Sequence, residues 1–293
     1  MLTGWICLDK PKGISSNFAM LKVRRLLGEN TGYIGTLDPF ATGILPIAVG
    51  KSRKFIQFVE EKEKRYEFSV RFGKSTNTLD STGSINAETD IIPTEKQMRE
   101  CLHYFIGEIE QTPPLFSAVK IQGHRSCDLA RQNKSVIIPS RKVHVFDLQL
   151  HNVNHDVASF SVRCSKGTYV RTLASDIAKF LGSLSYVEEL RRTHSGFFSL
   201  KNAITLENLS EIVDTAQLDS VLIPLESPLD DIPALHLGIE QCTKLQNGLA
   251  VFLNDVPVRS TNVKLFDDEQ HKFKGVCRVS ADGKVTAVKM CLD

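Results

Sequence analysis

Residues Tyr66-Glu67-Phe68-Ser69-Val70-Arg71-Phe72 alternate apolar and polar side chains without a break. A period of two places Tyr66, Phe68, Val70 and Phe72 on one face, the pattern of a strand with one side buried. Phe160-Ser161-Val162-Arg163-Cys164 alternates in the same way. A chain that carries such strands must build a sheet. The helical periods between them make it a sheet interleaved with helices.

The rest of the chain fills in around these strands. Gly4–Leu8 reads as a first strand, and Lys10-Pro11-Lys12-Gly13 as a turn. Ser15 or Ser16 caps a helix that ends at Leu27, with Gly28 as its stop. Leu45–Val49 reads as a strand and Lys51–Val59 as a helix. Thr94 caps a helix that runs to Phe105. Leu115–Ile121 and Lys142–Leu150 read as strands, with a short helix near Cys127–Arg131 between them. Val170, Leu173, Ile177 and Leu181 keep helical spacing and end at Gly182. A further helix is expected around Val187–Leu190 and a strand near Gly196–Leu200. Ile223–Pro233, rich in Pro and acid, reads as a linker. A helix over Gly238–Gln246 and short strands punctuated by Gly248, Pro257, Gly275 and Gly283 then suggest a small barrel-like module.

Composition excludes several classes. The chain has 293 residues, 42% hydrophobic and 24% charged, as an ordinary soluble globular protein does. No apolar run approaches the roughly 20 residues of a membrane span. The first ten residues read as a strand and not as a signal peptide. Seven scattered cysteines without a C-x-x-C pair read as free thiols in a reducing cytoplasm. The eight histidines do not cluster with them, so neither metal nor cofactor is expected. The net charge is +2, but residues 1–76 hold 13 Lys and Arg against 7 acids. Asn202 to Thr243 holds no Lys or Arg at all. A basic front suits a polyanion held on one side, although an ordinary solvated surface has the same look.

Within the basic front lies Gly35-Thr36-Leu37-Asp38-Pro39-Phe40-Ala41-Thr42-Gly43. Asp38 is the only acid between Glu29 and Glu60. Its bland reading is an Asp-Pro turn whose carboxylate caps nearby N–H groups. Its sharper reading is a site. Burial raises a carboxyl pKa and a nearby cation lowers it, so a working Asp38 needs a cation. Arg171 is the best candidate. It stands in the first turn of its helix and off the apolar stripe, where a cation is disfavoured unless an anion or solvent meets it. Tyr66 is either a core aromatic or a phenol facing the same cavity. Asp38 and Asp80 also invite a glycosidase-like carboxylate pair, but the spacing fixes no separation. Dinucleotide, P-loop and nucleophile-elbow motifs are missing.

Taken together, several segments resemble one family. Leu8-Asp9-Lys10-Pro11-Lys12-Gly13-Ile14-Ser15-Ser16, the Asp38 loop, Lys64-Arg65-Tyr66, Phe72–Asp80, Phe116–Lys120, Cys164–Thr172 and Leu190-Arg191-Arg192 follow in the order of the TruB-type pseudouridine synthases. The resemblance covers nearly the whole chain and is strongest over residues 1–200.

The family implies an α+β fold, with a large mixed, mainly antiparallel sheet and flanking helices over residues 1–228. It also implies a small PUA-like RNA-binding β-barrel module over 234–293. The implied activity is an isomerase's: uridine 55 in the T-loop of tRNA becomes pseudouridine after the base is flipped into a cleft. An RNA chaperone that folds tRNA, with catalysis secondary, is the alternative. Carried over residue by residue, Asp38 is the catalytic aspartate, acting as nucleophile or base. Arg171 is its ion-pair partner, and Tyr66 is a proton acceptor over the uracil. The substrate-binding set is Leu190, Tyr33, Lys10, Thr36, Lys64 and Lys166. No cofactor, metal or obligate protein partner is implied. The expected partner is the T-arm of tRNA, met by a cytoplasmic monomer. The sequence departs from the family in two places. Tyr33 stands where a histidine is usual, and Cys127 stands where an aromatic is usual, which reads as packing.

Overall fold

The computed structural model describes residues 2–59, 63–117, 119–121, 123–132, 137–215, 217–253 and 261–291. In chain order the first part runs β1 (Gly4–Lys10), α1 (Ser16–Leu27), β2 (Thr31–Tyr33), β3 (Thr42–Val49), β4 (Lys64–Phe72), β5 (Lys74–Thr76), β6 (Ile85–Glu88), α2 (Glu95–Cys101) and β7 (Gly107–Gln111). It continues with β8 (Lys120–Ile121), β9 (His124–Arg125), α3 (Ser126–Arg131), β10 (Arg141–Asn154), β11 (Val157–Cys164), α4 (Val170–Phe180), β12 (Ser185–Ser195), β13 (Phe198–Ser199) and α5 (Leu206–Asp214). The last part is β14 (Ala234–Leu237), α6 (Ile239–Gln246), β15 (Val251–Phe252), β16 (Thr261–Asp267), β17 (Phe273–Val279) and β18 (Lys284–Met290).

The large sheet has the order β1-β3-β12-β4-β11-β10-β7, with β2 on β3 and β13 on β12. It is antiparallel throughout except between β3 and β12, which run parallel for two residue pairs, Arg191 with Thr42 and Arg192 with Gly43. Strand β4 lies near its middle. As the alternation requires, Tyr66, Phe68, Val70 and Phe72 are buried. They pack on Leu173, Ala174 and Ile177 of α4 and on Met98 and Cys101 of α2. Full burial of one such apolar side chain is worth about 1.5–3 kcal/mol, so this one face anchors both helices.

Local signals at the ends of α1 and α2 act as the sequence predicts. Ser15 Oγ accepts from Phe18 N at 3.1 Å, and Gly28 ends α1 with its N–H on Arg24 O at 3.0 Å. Thr94 and Gln97 form a reciprocal capping box on α2. The helix after β3 is a 3₁₀ helix, Gly50–Phe58.

Three expectations are corrected. Val187–Leu190 is not helical but belongs to β12, where Val187 pairs with Val70 and Leu190 with Phe68 of β4. The strand expected over Leu115–Ile121 shrinks to Lys120–Ile121, because residues 115–117 bend and lend their carbonyls to side chains. The segment Ile223–Pro233 is packed and not a loose linker. Trp5 and Ile223 exchange backbone hydrogen bonds at 2.8 and 2.9 Å, Trp5 Nε1 donates to Leu225 O, and Leu229 is fully buried. Pro257 and the packing of Cys127 lie outside what is described.

The second sheet has the order β14-β16-β17-β18-β15, with α6 supplying Cys242 and Leu245 to its core. Among the described residues its two end strands do not pair, which leaves an open half-barrel. Phe273 meets Phe55 edge-on at 5.6 Å, which joins it to the apolar cluster around Trp5.

Candidate active site

The Asp38 loop links β2 to β3 and is tied down from beneath. Ser16, the first residue of α1, donates to Leu37 O at 2.8 Å and accepts from Leu37 N at 2.7 Å. Gly13 N donates to Pro39 O at 2.8 Å. Ala41 N donates to Asp38 O at 3.1 Å, which closes the Asp-Pro turn. Gly43 has φ +98°, and a Cβ there would stand 2.2 Å from Arg192 O. Only glycine permits that approach. The loop is therefore a turn closed by main chain, and among the described residues its carboxylate is held by a side chain and not by capping N–H groups.

That carboxylate opens onto a cavity of about 680 Å³, whose lining includes Thr36, Asp38, Lys64, Tyr66, Lys166, Arg171 and Leu190. Arg171 Nη2 lies 2.9 Å from Asp38 Oδ2, with Arg171 buried and the Asp38 side chain 32% exposed. The other arm of the guanidinium reaches Asp80 Oδ2 at 3.3 Å. Nη1 also donates to Thr78 O at 2.7 Å, and Nη2 to Phe116 O at 2.9 Å. Two carboxylates and two carbonyls thus compensate a cation at the wrong end of a helix dipole. Burial is the largest influence on Asp38 and pushes its carboxyl above the usual range; Arg171 opposes this and the Asp80 charge adds to it.

Asp80 reaches its place through an unusual backbone. Leu79 has φ +60°, and its carbonyl accepts from Val187 N of β12. Asp80 Oδ1 accepts from Thr78 Oγ1, Thr82 N and Thr82 Oγ1 at 2.8, 3.0 and 2.6 Å. The two aspartates do not flank an open gap as a glycosidase pair does. They share one arginine.

Tyr66 is buried at the cavity, opposite Val162 of β11 and Arg192 of β12. Burial pushes its phenol above the usual range, against the pull of the Arg192 charge. It is therefore a neutral phenol near pH 7, able to donate a hydrogen bond as well as accept one.

Of the expected substrate contacts, one is buried and another stands outside the cavity lining. Lys10 is fully buried and donates to Pro11 O and Ile14 O at 2.8 Å, with Pro39 O at 3.4 Å. It has no surface to offer a phosphate and instead supports the Asp38 loop; burial lowers its pKa to about 8. Tyr33 is half-buried on β2 against the cluster of Ile6, Leu45 and Ile47, away from the cavity lining. One participant was not singled out at all. Arg192 is fully buried and lines the cavity, but within Leu190-Arg191-Arg192 nothing local separates it from Arg191, which pairs with Asp9 at 2.6 Å.

The cavity is strongly basic. Among the described residues Lys64, Arg141, Lys142, Lys166, Arg171 and Arg192 line it against one acid, Asp38. Arg141 also lies over the Tyr169 ring at 5.0 Å. A second cavity of about 580 Å³ shares the Leu190 wall but sets Glu67 and Glu189 against Lys12 and Arg191, which makes it a poorer host for a polyanion. Among the described residues no group of His, Cys, Asp and Glu could hold a metal ion, and no helix is long and apolar enough to cross a membrane.

Comparison with known proteins agrees over almost the full chain. Residues 24–170 match the TruB family pseudouridylate synthase N-terminal domain, and residues 171–230 match the tRNA pseudouridylate synthase B C-terminal domain. The tRNA pseudouridine synthase B of Caulobacter vibrioides is 42% identical over 266 residues, covering 90% of this chain and 86% of that protein. Its counterpart in Vibrio atlanticus is 38% identical over 299 residues, covering 99% and 94%. Among solved structures, a Cbf5–Nop10–Gar1 complex matches with TM-score 0.75 at 24% identity, covering 98% of this chain and 84% of that one. An H/ACA RNP bound to a substrate RNA containing 2′-deoxyuridine matches with TM-score 0.76 at 20% identity, covering 99% and 85%. These two share the fold.

Proposed function

The chain belongs to the TruB family of pseudouridylate synthases, and from that premise we propose that it converts uridine 55 in the T-loop of tRNA to pseudouridine. The observation that carries the reading is the Asp38–Arg171 pair at 2.9 Å on the wall of a cavity otherwise lined by cations. A buried guanidinium keeps the carboxylate oriented, and the cations suit phosphates on either side of a flipped nucleotide.

In the proposed reaction the N1–C1′ bond of the uridine breaks, the uracil turns, and C5 bonds to C1′. The C5 proton leaves to solvent and N1 regains one, so neither redox change nor external group is needed. Asp38 acts on the substrate, as nucleophile or base, with Arg171 holding its charge. Tyr66 covers the uracil and, as a neutral phenol, meets it by hydrogen bonding. Leu190 forms an apolar wall. Thr36, Lys64 and Lys166 contact the RNA.

Residues 1–228 form the catalytic part in this reading. The half-barrel of 234–293 is a PUA-like module that grips the RNA beyond the target loop. The enzyme works as a cytoplasmic monomer on the T-arm. Tritium release from C5-labelled uridine in tRNA tests the assignment. Wild type releases tritium and Asp38→Asn does not. Turnover by Asp38→Asn at the wild-type rate overturns the role of Asp38. If wild type releases none but speeds tRNA folding, the chaperone reading replaces this one.

A further inference from the structure

A buried guanidinium normally needs a carboxylate, because desolvating an unpaired charge is expensive. Arg192 has none among the described residues. It is fully buried, and its fork closes on backbone instead: Nε donates to Ile44 O at 2.7 Å and Nη2 to Gly35 O at 2.8 Å. Those two carbonyls stand on either side of Asp38, one at the first residue of the loop and one just after its last. Among the described residues the third nitrogen, Nη1, closes no hydrogen bond of good geometry, while the Tyr66 phenol interacts with the same guanidinium. Nη1 faces Gly35, where a Cβ would come within 3.0 Å of it. The backbone of Arg192 is engaged as well, since Gly43 packs on its carbonyl and pairs with it across β3 and β12. On its other side Arg192 pairs with Tyr66, and its charge opposes the burial that raises the Tyr66 phenol.

One residue therefore touches both ends of the Asp38 loop and the strand position of Tyr66. We infer that Arg192 is a positioning residue for the reaction: its fork sets the loop that carries Asp38 against the strand that carries Tyr66. This rests on the proposed function and deepens it. A lysine at this position keeps the charge but has no fork, so it cannot span Gly35 O and Ile44 O together. Gly35→Ala attacks the same contact from the other side, because a Cβ there pushes Nη1 and strains a backbone at φ +67°.

The test is steady-state tritium release by Arg192→Lys and Gly35→Ala, with thermal unfolding followed in parallel and turnover measured well below both melting points. Misplacement of a reacting group by about 1 Å costs about 100-fold in rate. The expected result is a kcat loss of that order in both variants, with KM for tRNA within about threefold of wild type. Unchanged kcat in the folded variants overturns the inference, whatever happens to the melting point. So does a rise in KM alone, which would make Arg192 a binding residue. If Arg192→Lys does not fold, Gly35→Ala decides alone. A wild type that releases no tritium would instead sink the proposed function.

Discussion

Asp80 lies 3.3 Å from Arg171, the same guanidinium that holds Asp38. Both members of this rear pair are buried. Asp80→Asn keeps the shape but presents an amide to an arginine that can only donate. Breaking a buried pair by removing one partner costs about 3–5 kcal/mol. The variant should lose about 3 kcal/mol in denaturant unfolding. It should also slow tritium release, because Arg171 loses its rear anchor. A variant as stable as wild type would show that Thr78 O and Phe116 O suffice to hold Arg171.

Arg171→Lys tests the front of the same site. Lysine offers one point of charge where the fork now meets two carboxylates and two carbonyls. The expected loss in kcat is about 100-fold, the scale on which a misplaced reacting group slows a reaction. The variant should still bind tRNA, since Lys64, Arg141, Lys142 and Lys166 still line the cavity. Equal kcat in wild type and variant would remove the fork from the argument.

The helix-forming sequence of β12 shows where local reading stops. Val187-Glu188-Glu189-Leu190-Arg191-Arg192 is rich in helix formers. Pairing with β4 overrides that preference, and a bulge between Val187 and Glu189 breaks the period of two. The inward positions become Val187, Leu190 and Arg192, a spacing that no strand template matches. Strand β4 has no such interruption through Phe72 and was legible outright. The Asp38–Arg171 pair was only suggested locally, since an arginine in the first turn of a helix is met by an anion or by solvent, and the family resemblance made it specific. Asp80 as its second partner was not, since it depends on the positive φ of Leu79. Nor was the burial of Lys10, because a Lys-Pro turn is equally consistent with a surface.

Asp38 makes stability and activity depend on pH in opposite ways. Burial raises its carboxyl pKa in the folded state. A raised carboxyl costs stability wherever the group is ionised, fully above the folded pKa. The cost fades as pH falls and is gone below the unfolded value of about 3.9. Removing a partner of the buried Arg171 costs Asp38→Asn stability at every pH, so its stability relative to wild type should be highest at pH 7.5 and should fall on acidification, as the wild-type penalty fades. Wild-type turnover should fall on the acid side above the ordinary carboxylate range. Melting curves of both proteins across that range, beside a kcat profile, check both limbs. A gap independent of pH would mean that Asp38 is not desolvated.

Lys10 titrates in the other direction. Burial lowers its pKa from 10.5 to about 8, so the folded state holds a disfavoured charge below about pH 8. The unfolded chain keeps its proton to higher pH, and stability from this group rises as pH climbs between those values. Lys10→Met removes that titration but leaves Pro11 O and Ile14 O without their donor. Wild type should therefore gain stability relative to Lys10→Met between pH 8 and about 10, while the variant is less active because Pro39 and its loop lose support. Chemical denaturation at three pH values gives the slope. Parallel curves would place the Lys10 ammonium in contact with water after all.

The cations around the cavity make RNA binding dependent on salt. Each phosphate neutralised contributes about 0.7–0.9 to the slope of log affinity against log salt. Lys166 is exposed at the cavity edge, whereas Arg171 and Arg192 are buried and serve the protein's own carboxylates and carbonyls. Lys166→Ala should weaken tRNA binding and flatten the slope by about 1, leaving kcat at saturating tRNA near the wild-type value. Filter binding at four salt concentrations reads the slope directly. An unchanged slope with weaker binding would assign Lys166 to an uncharged contact, and a lower kcat at saturation would move it from the phosphates to the reacting nucleotide.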